Sequence, residues 1–157
     1  MSNENTNTAE REIASTRVFE APRELVWKVW TDPEHLGKWW GPNGFTTTTK
    51  VFELKLGGQW LFVMHGPDGT DYRNEITFSV IIEPERLEYD HGPSPNFHTT
   101  VIFDEENSDK TKISMTAVFP TKAERDRTVE KFHAIEGMKQ TLGRLADYLA
   151  EQLPVKG

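Results

Sequence analysis

Five histidines and no cysteine limit the chemistry open to this chain of 157 residues. Without thiols there is no disulfide, no Cys-ligated zinc and no thiolate nucleophile. His65 opens the run His65-Gly66-Pro67-Asp68-Gly69-Thr70-Asp71, whose aspartates invite comparison with a metal loop. The spacing matches no ligand pattern such as His-Glu-x-x-His, and the composition is that of a hairpin turn. His91 and His98 flank Gly92-Pro93-Ser94-Pro95, a placement that could bring them face to face across a second hairpin. His35 and His133 read as exposed or half-buried helix positions. Glu83, Glu85, Glu88 and Asp90 read as solvated strand ends. No Gly-x-Ser-x-Gly elbow, phosphate loop or dinucleotide fingerprint is present. No metal, cofactor or catalytic set is therefore expected. Were the protein an enzyme, Asn74, Tyr89, His91 and His98 are the groups that could serve it.

The elements that position these groups follow from periodicity. Residues 1–10 are polar and acidic and are expected to be a tail. A strand begins near Arg11 and carries Ile13, Thr16, Val18 and Phe19. Pro22 suits a helix start, and Leu25, Val26, Val29 and Trp30 repeat at helical spacing to Thr31. Asp32-Pro33 ends that helix and caps a second short one bearing Leu36, Trp39 and Trp40. Six strands follow, over Phe45–Leu54, Gln59–His65, Tyr72–Glu83, Arg86–His91, Phe97–Asp104 and Lys110–Phe119. Short turns between them imply antiparallel hairpins. One long helix, Lys122–Leu153, closes the chain, with its apolar stripe on Val129, Phe132, Ile135, Met138, Leu142, Leu145 and Leu149. The expected architecture is α+β: a curved antiparallel sheet of about seven strands wrapped round a long C-terminal helix, with two short helices after the first strand. One domain is expected over 11–153, with a short tail over 154–157.

Charge and composition narrow the partners. The net charge is −7, from 18 Lys+Arg against 25 Asp+Glu. An acidic chain lacks the basic stripe that nucleic acid requires and is repelled by anionic membrane surfaces. No apolar run approaches the ~20 residues of a membrane span, and no secretory h-region precedes the first strand. A cytoplasmic protein is expected, as monomer or homodimer, since an open sheet edge can pair with its twin.

Two features bear on a binding site. Trp39 and Trp40 are adjacent, so on one helix they cannot both face the same core; either one lids a pocket, or both pack in different directions. Gly137 falls inside the long helix, where glycine costs about 1 kcal/mol against alanine. It makes room for a sheet residue or for a ligand, or it permits a bend. On the strands, Trp60, Phe62 and Met64 share a face, as do Asn74, Ile76, Phe78, Val80 and Ile82, then Thr99, Val101 and Phe103, then Ile113, Met115 and Ala117.

The combination Phe19-x-Ala21-Pro22-x-x-x-Val26-Trp27, Trp30-Thr31-Asp32-Pro33-Glu34, Trp39-Trp40-Gly41-Pro42 and Gly57-Gly58 resembles the activator-of-heat-shock-protein-90-ATPase-like domains. These belong to the START-like superfamily, also called SRPBCC or birch-pollen-allergen-like. Pro84-Glu85-Arg86-Leu87, Gly137-Met138 and Leu142 agree, and the resemblance runs from about Ile13 to Leu149. It implies a helix-grip fold and a cavity between sheet and long helix that binds lipids, sterols, flavonoids or polyketides. A minority of the superfamily are cyclases or hydrolases, and eukaryotic relatives stimulate the ATPase of the 90-kDa chaperone in the stress response. The matching signature is structural and carries over no catalytic residue.

The expected function is binding of a small hydrophobic or aromatic ligand, with Trp40, Trp60, Phe62, Met64, Phe78, Tyr89, Val101, Phe103, Phe132, Met138 and Leu142 as its wall. Two alternatives are a polyketide cyclase- or hydrolase-type enzyme using the same cavity, and a chaperone-linked interaction module.

Overall fold

The computed structural model describes residues 8–93 and 95–152. The expected tails over 1–7 and 154–157 lie outside the described residues. Thr8, Ala9 and Glu10, expected in the tail, are part of the fold: Ala9–Arg11 form a 3-10 turn, and the Thr8 hydroxyl donates to the Glu12 carboxylate at 2.5 Å.

The sheet has seven strands: β1 (Glu12–Phe19), β2 (Thr46–Phe52), β3 (Gln59–His65), β4 (Asp71–Ile82), β5 (Arg86–Gly92), β6 (Phe97–Asn107) and β7 (Lys110–Val118). Their spatial order is β1-β7-β6-β5-β4-β3-β2, and every pairing is antiparallel. Register irregularities fall between Thr49 and Val51, Phe78 and Val80, and Glu105 and Asn107; such bulges bend and twist a sheet. The bulge after Phe78 also shifts the side-chain alternation. Ile82, expected inward, is 49% exposed, and Ile81 packs against the core in its place.

Between β1 and β2 stand α1 (Arg23–Trp30) and α2 (Pro33–Trp39). Pro22 is the cap of α1 rather than its first residue, with its carbonyl accepting from the Leu25 and Val26 amides. Asp32 caps α2 through its side chain, which accepts from the Glu34 amide at 2.9 Å. Both tryptophans pack: Trp39 is fully buried and Trp40 is 9% exposed. They manage this because the backbone leaves the helix at Trp40, and their rings meet edge-on at 5.5 Å.

The predicted single C-terminal helix is two. α3 (Lys122–Phe132) starts on a side-chain N-cap, Thr121 Oγ1 accepting from the Glu124 amide at 3.1 Å. It ends at His133, whose φ of 53° and ψ of 47° are left-handed. α4 (Ala134–Gln152) then begins as a separate helix. The apolar stripe is accordingly divided. Leu142, Leu145 and Leu149 of α4 enter the main core, where Trp27, Trp30, Phe62 and Phe103 also meet. Val129 of α3 and Ile135 of α4 cover a smaller cluster of Ile13, Ala117 and Phe119.

Candidate functional site

The aromatic residues fill the middle of the grip. Trp60 and Phe62 stack at 3.9 Å between ring centroids, Trp40 meets Trp60 at 5.1 Å, and Trp27 meets Phe103 at 5.0 Å. Trp40, Trp60, Phe62, Phe78, Tyr89, Val101, Phe103 and Leu142 of the expected wall are all buried there. None of them lines either of the two cavities described below. Met138 packs against both core clusters.

Free space lies at one end instead, as a half-enclosed cavity of about 840 Å³. It is bounded by the end of β3, the beginning of β4, the end of β5, the start of β6, the turn after Trp40 and the junction of α3 with α4. Met64 and Phe132 are the two residues of the expected wall that line it. The inward face of β4 changes character along its length. Ile76 and Phe78 are in the core, whereas Asn74 and Tyr72, at the same parity, border the cavity. Tyr72 pairs in register with Met64, and Ile76 with His91, so that β3 and β5 supply the flanking walls. Phe132, 39% exposed, meets the Tyr72 ring edge-on at 6.2 Å and forms the outer lip.

The turn that forms the opposite wall is tied to α4. Arg144 Nη1 donates to the Gly41 and Pro42 carbonyls at 2.9 Å each and lies 3.4 Å from that of Trp40. Gln140 Oε1 accepts from the Asn43 amide at 3.0 Å. Gly41 has a φ of +109°, which disfavours any side chain there. Gly137 faces the turn, and a Cβ on it would meet only Pro42 Cγ, at 3.4 Å. It sits in the first turn of α4 rather than mid-helix, and it borders the cavity.

The polar end of the cavity is His91 with Asn74. Nε2 lies 2.6 Å from Asn74 Oδ1 and Nδ1 lies 2.8 Å from the Pro95 carbonyl oxygen. Burial pulls the His91 pKa below its ordinary value, against the Pro95 carbonyl and the Glu75 charge. His98 does not face His91, because the register sets His91 opposite Phe97 and His98 opposite Asp90. His91 stacks on Phe97 at 4.4 Å, and the pair also borders a shallower groove of about 330 Å³ beside Arg11 and Asp90. His65 bonds to Asp71 and Thr48 on the outer face of the sheet, and no metal-binding cluster occurs among the described residues. Sequence reasoning reached Asn74 and His91 as polar groups but missed Tyr72, Phe45 and Gln140. The alternation of β4 was the available signal for Tyr72.

A seven-stranded antiparallel sheet gripping a long terminal helix, with a cavity at one end, is the START-like helix-grip fold. Residues 20–150 match the family model for Activator of Hsp90 ATPase homolog 1-like protein. The chain belongs to that family. No curated protein matches the sequence. Among solved structures, a protein from Arthrobacter aurescens is 26% identical over 92% of this chain and 89% of that one, with a TM-score of 0.85. One from Nitrosomonas europaea is 25% identical over 92% and 97%, with a TM-score of 0.83. The AHSA1 protein from Silicibacter pomeroyi, at 19% identity over 90% and 99% and a TM-score of 0.74, shares the fold.

Proposed function

We propose that this protein binds a small hydrophobic or aromatic molecule in the cavity between β3–β5, the turn after Trp40 and the α3–α4 junction. The observation that carries this reading is the cavity itself, about 840 Å³, with Pro42, Phe45, Met64, Tyr72, Phe97 and Phe132 on its walls, the buried His91 beside half-buried Asn74, and charged side chains such as Arg73, Lys131 and Glu136 at its rim. Ligand pockets combine those features: apolar walls supply desolvation, and a few fixed polar groups supply orientation. The revised wall is Pro42, Phe45, Met64, Tyr72, Phe97 and Phe132, in place of the aromatic residues that fill the core. The absence of cysteine fits a cytoplasmic setting.

The test is a thermal-shift screen against lipids, sterols, flavonoids and polyketides. A ligand at 100 times its dissociation constant adds about 2.7 kcal/mol to stability. Absence of any shift across the panel overturns the reading.

The family's description supports a second reading, a chaperone-linked module. Leu54 and Leu56, at 36% and 68% exposure on the connection after β2, are apolar residues left for a partner. Stimulation of the chaperone's ATPase by this chain, lost in Leu56→Asp, supports that reading; absence of stimulation removes it.

A further inference from the structure

The polar end of the cavity specifies what kind of ligand it suits. The Pro95 carbonyl only accepts, so His91 Nδ1 must donate to it. Asn74 is oriented by a third contact, its Nδ2 donating to the Tyr72 carbonyl at 3.0 Å. Oδ1 therefore faces His91 Nε2 and can only accept there. Turning the amide over sets Oδ1 against the Tyr72 carbonyl, acceptor to acceptor. Only a doubly protonated ring makes all three bonds.

That imidazolium lacks a counter-ion. His91 is 8% exposed, and no carboxylate is hydrogen-bonded to it among the described residues. Glu75 of β4 acts on it through space. Asp90 of β5 and His98 of β6 are bonded to each other, and Arg11, ahead of β1, to the Phe119 carbonyl. Lys131, His133 and Glu136 stand at the α3–α4 mouth, and Asp71 and Arg73 of β4 line the same cavity, all of them exposed and none bonded to the ring. In the empty cavity the ring is therefore either charged and uncompensated or neutral and opposed to Asn74. Asn74 also keeps a second N–H without an acceptor among the described residues. A bound anion relieves both conditions.

We propose that the cavity takes organic carboxylates, with the apolar body on the Met64 and Tyr72 side, the carboxylate on the free Asn74 N–H, and His91 gaining a proton from solvent on binding. This rests on the cavity being a ligand site, as proposed above. A carboxylic acid of ordinary pKa, about 4, stays ionised throughout the neutral range, so the proton taken up belongs to His91.

The experiment is titration calorimetry on the full chain with naphthoate and octanoate beside naphthamide and octanamide, in phosphate and in Tris. The acids should bind at least about tenfold more tightly than their amides, with heats that differ between buffers by the amount net proton uptake requires. Acid affinity should rise from pH 8 to pH 6 while amide affinity stays flat. His91→Gln should lose both the acid preference and the buffer dependence. Asn74→Leu provides the same readout if the first variant fails to fold. Equal affinity for acids and amides, without proton uptake, overturns the carboxylate assignment and leaves the ligand reading intact. A preference that survives both variants puts the anion elsewhere and overturns it equally. No binding of any of the four probes overturns the carboxylate assignment, while the ligand reading stands or falls with the thermal-shift panel.

Discussion

Arg144 reaches from α4 to the Gly41 carbonyl, 103 positions earlier in the chain, and bonds it at 2.9 Å. The same nitrogen serves Pro42, also at 2.9 Å. One guanidinium thus ties a wall of the cavity to the helix that closes the core. The turn it holds has few other anchors: Asn43 to Gln140, and Phe45 to the Pro42 carbonyl.

Arg144→Lys should release that turn. A lysine ammonium is a compact, strongly hydrated point charge on a flexible stem, and it does not reproduce the fixed direction in which the planar guanidinium presents Nη1 to the two carbonyls. Hydrogen bonds from charged donors contribute about 1.5–3 kcal/mol each, so a loss of roughly that size in chemical denaturation is expected. Amide exchange should accelerate at Asn43 and Phe45 and stay unchanged in β6 and β7. Unchanged exchange in the turn contradicts the anchoring role.

Gly137→Leu should fill part of the cavity without crowding the core. Its Cβ has only Pro42 Cγ as a neighbour within 4 Å, an ordinary contact. Helix propensity favours leucine over glycine by nearly 1 kcal/mol. The apo variant should therefore equal or exceed wild type in stability, and ligand binding should fall. A loss of roughly 1–3 kcal/mol, the usual cost of overpacking, contradicts this.

Trp40→Ala and Phe132→Ala should separate core from site. Trp40 is 9% exposed and surrounded by rings, so its removal should cost about 3–5 kcal/mol. Phe132 is 39% exposed at the cavity lip, and its removal should leave the denaturation midpoint nearly unchanged while altering ligand affinity. The reverse pattern in paired denaturation and titration experiments contradicts the placement of the site.

Two histidines should give opposite pH dependences. Burial lowers the His98 pKa, but bonds to Glu88 and Asp90 at 2.8 Å outweigh it, and the net shift is upward. Its contribution is complete below the unfolded value of about 6.5 and is lost as pH rises through the folded value. His91 is shifted downward by burial, so its contribution is present above about 6.5 and is lost as pH falls. Urea midpoints should show His98→Gln costing more at pH 5.5 than at pH 8. His91→Gln should weaken the rise of stability with pH in the empty protein. Parallel pH profiles for wild type and both variants contradict the assignment.

The order and kind of the elements were legible in the sequence because alternation and helical spacing are local. Gln59–His65 is a strand with the predicted ends, and Asp32 caps α2 as its place before Pro33 requires. The resemblance motifs lead to the family for a related reason: they sit where tryptophans, prolines and glycines set the turns that join these elements. Three things escaped local reading. One left-handed residue, His133, separates the two helices without interrupting the apolar period, so a single helix and two helices look alike in sequence. The bulge after Phe78 exchanges Ile82 for Ile81 because register belongs to the pair of strands. Parity places a side chain on the inner face, but whether that side chain meets another or open space depends on volumes summed over many elements. Trp40, Trp60, Phe62 and Phe103 fill the centre of the grip, and the free volume is left at the end where β4 turns polar and α3 breaks from α4. Packing in three dimensions decided the place of the cavity.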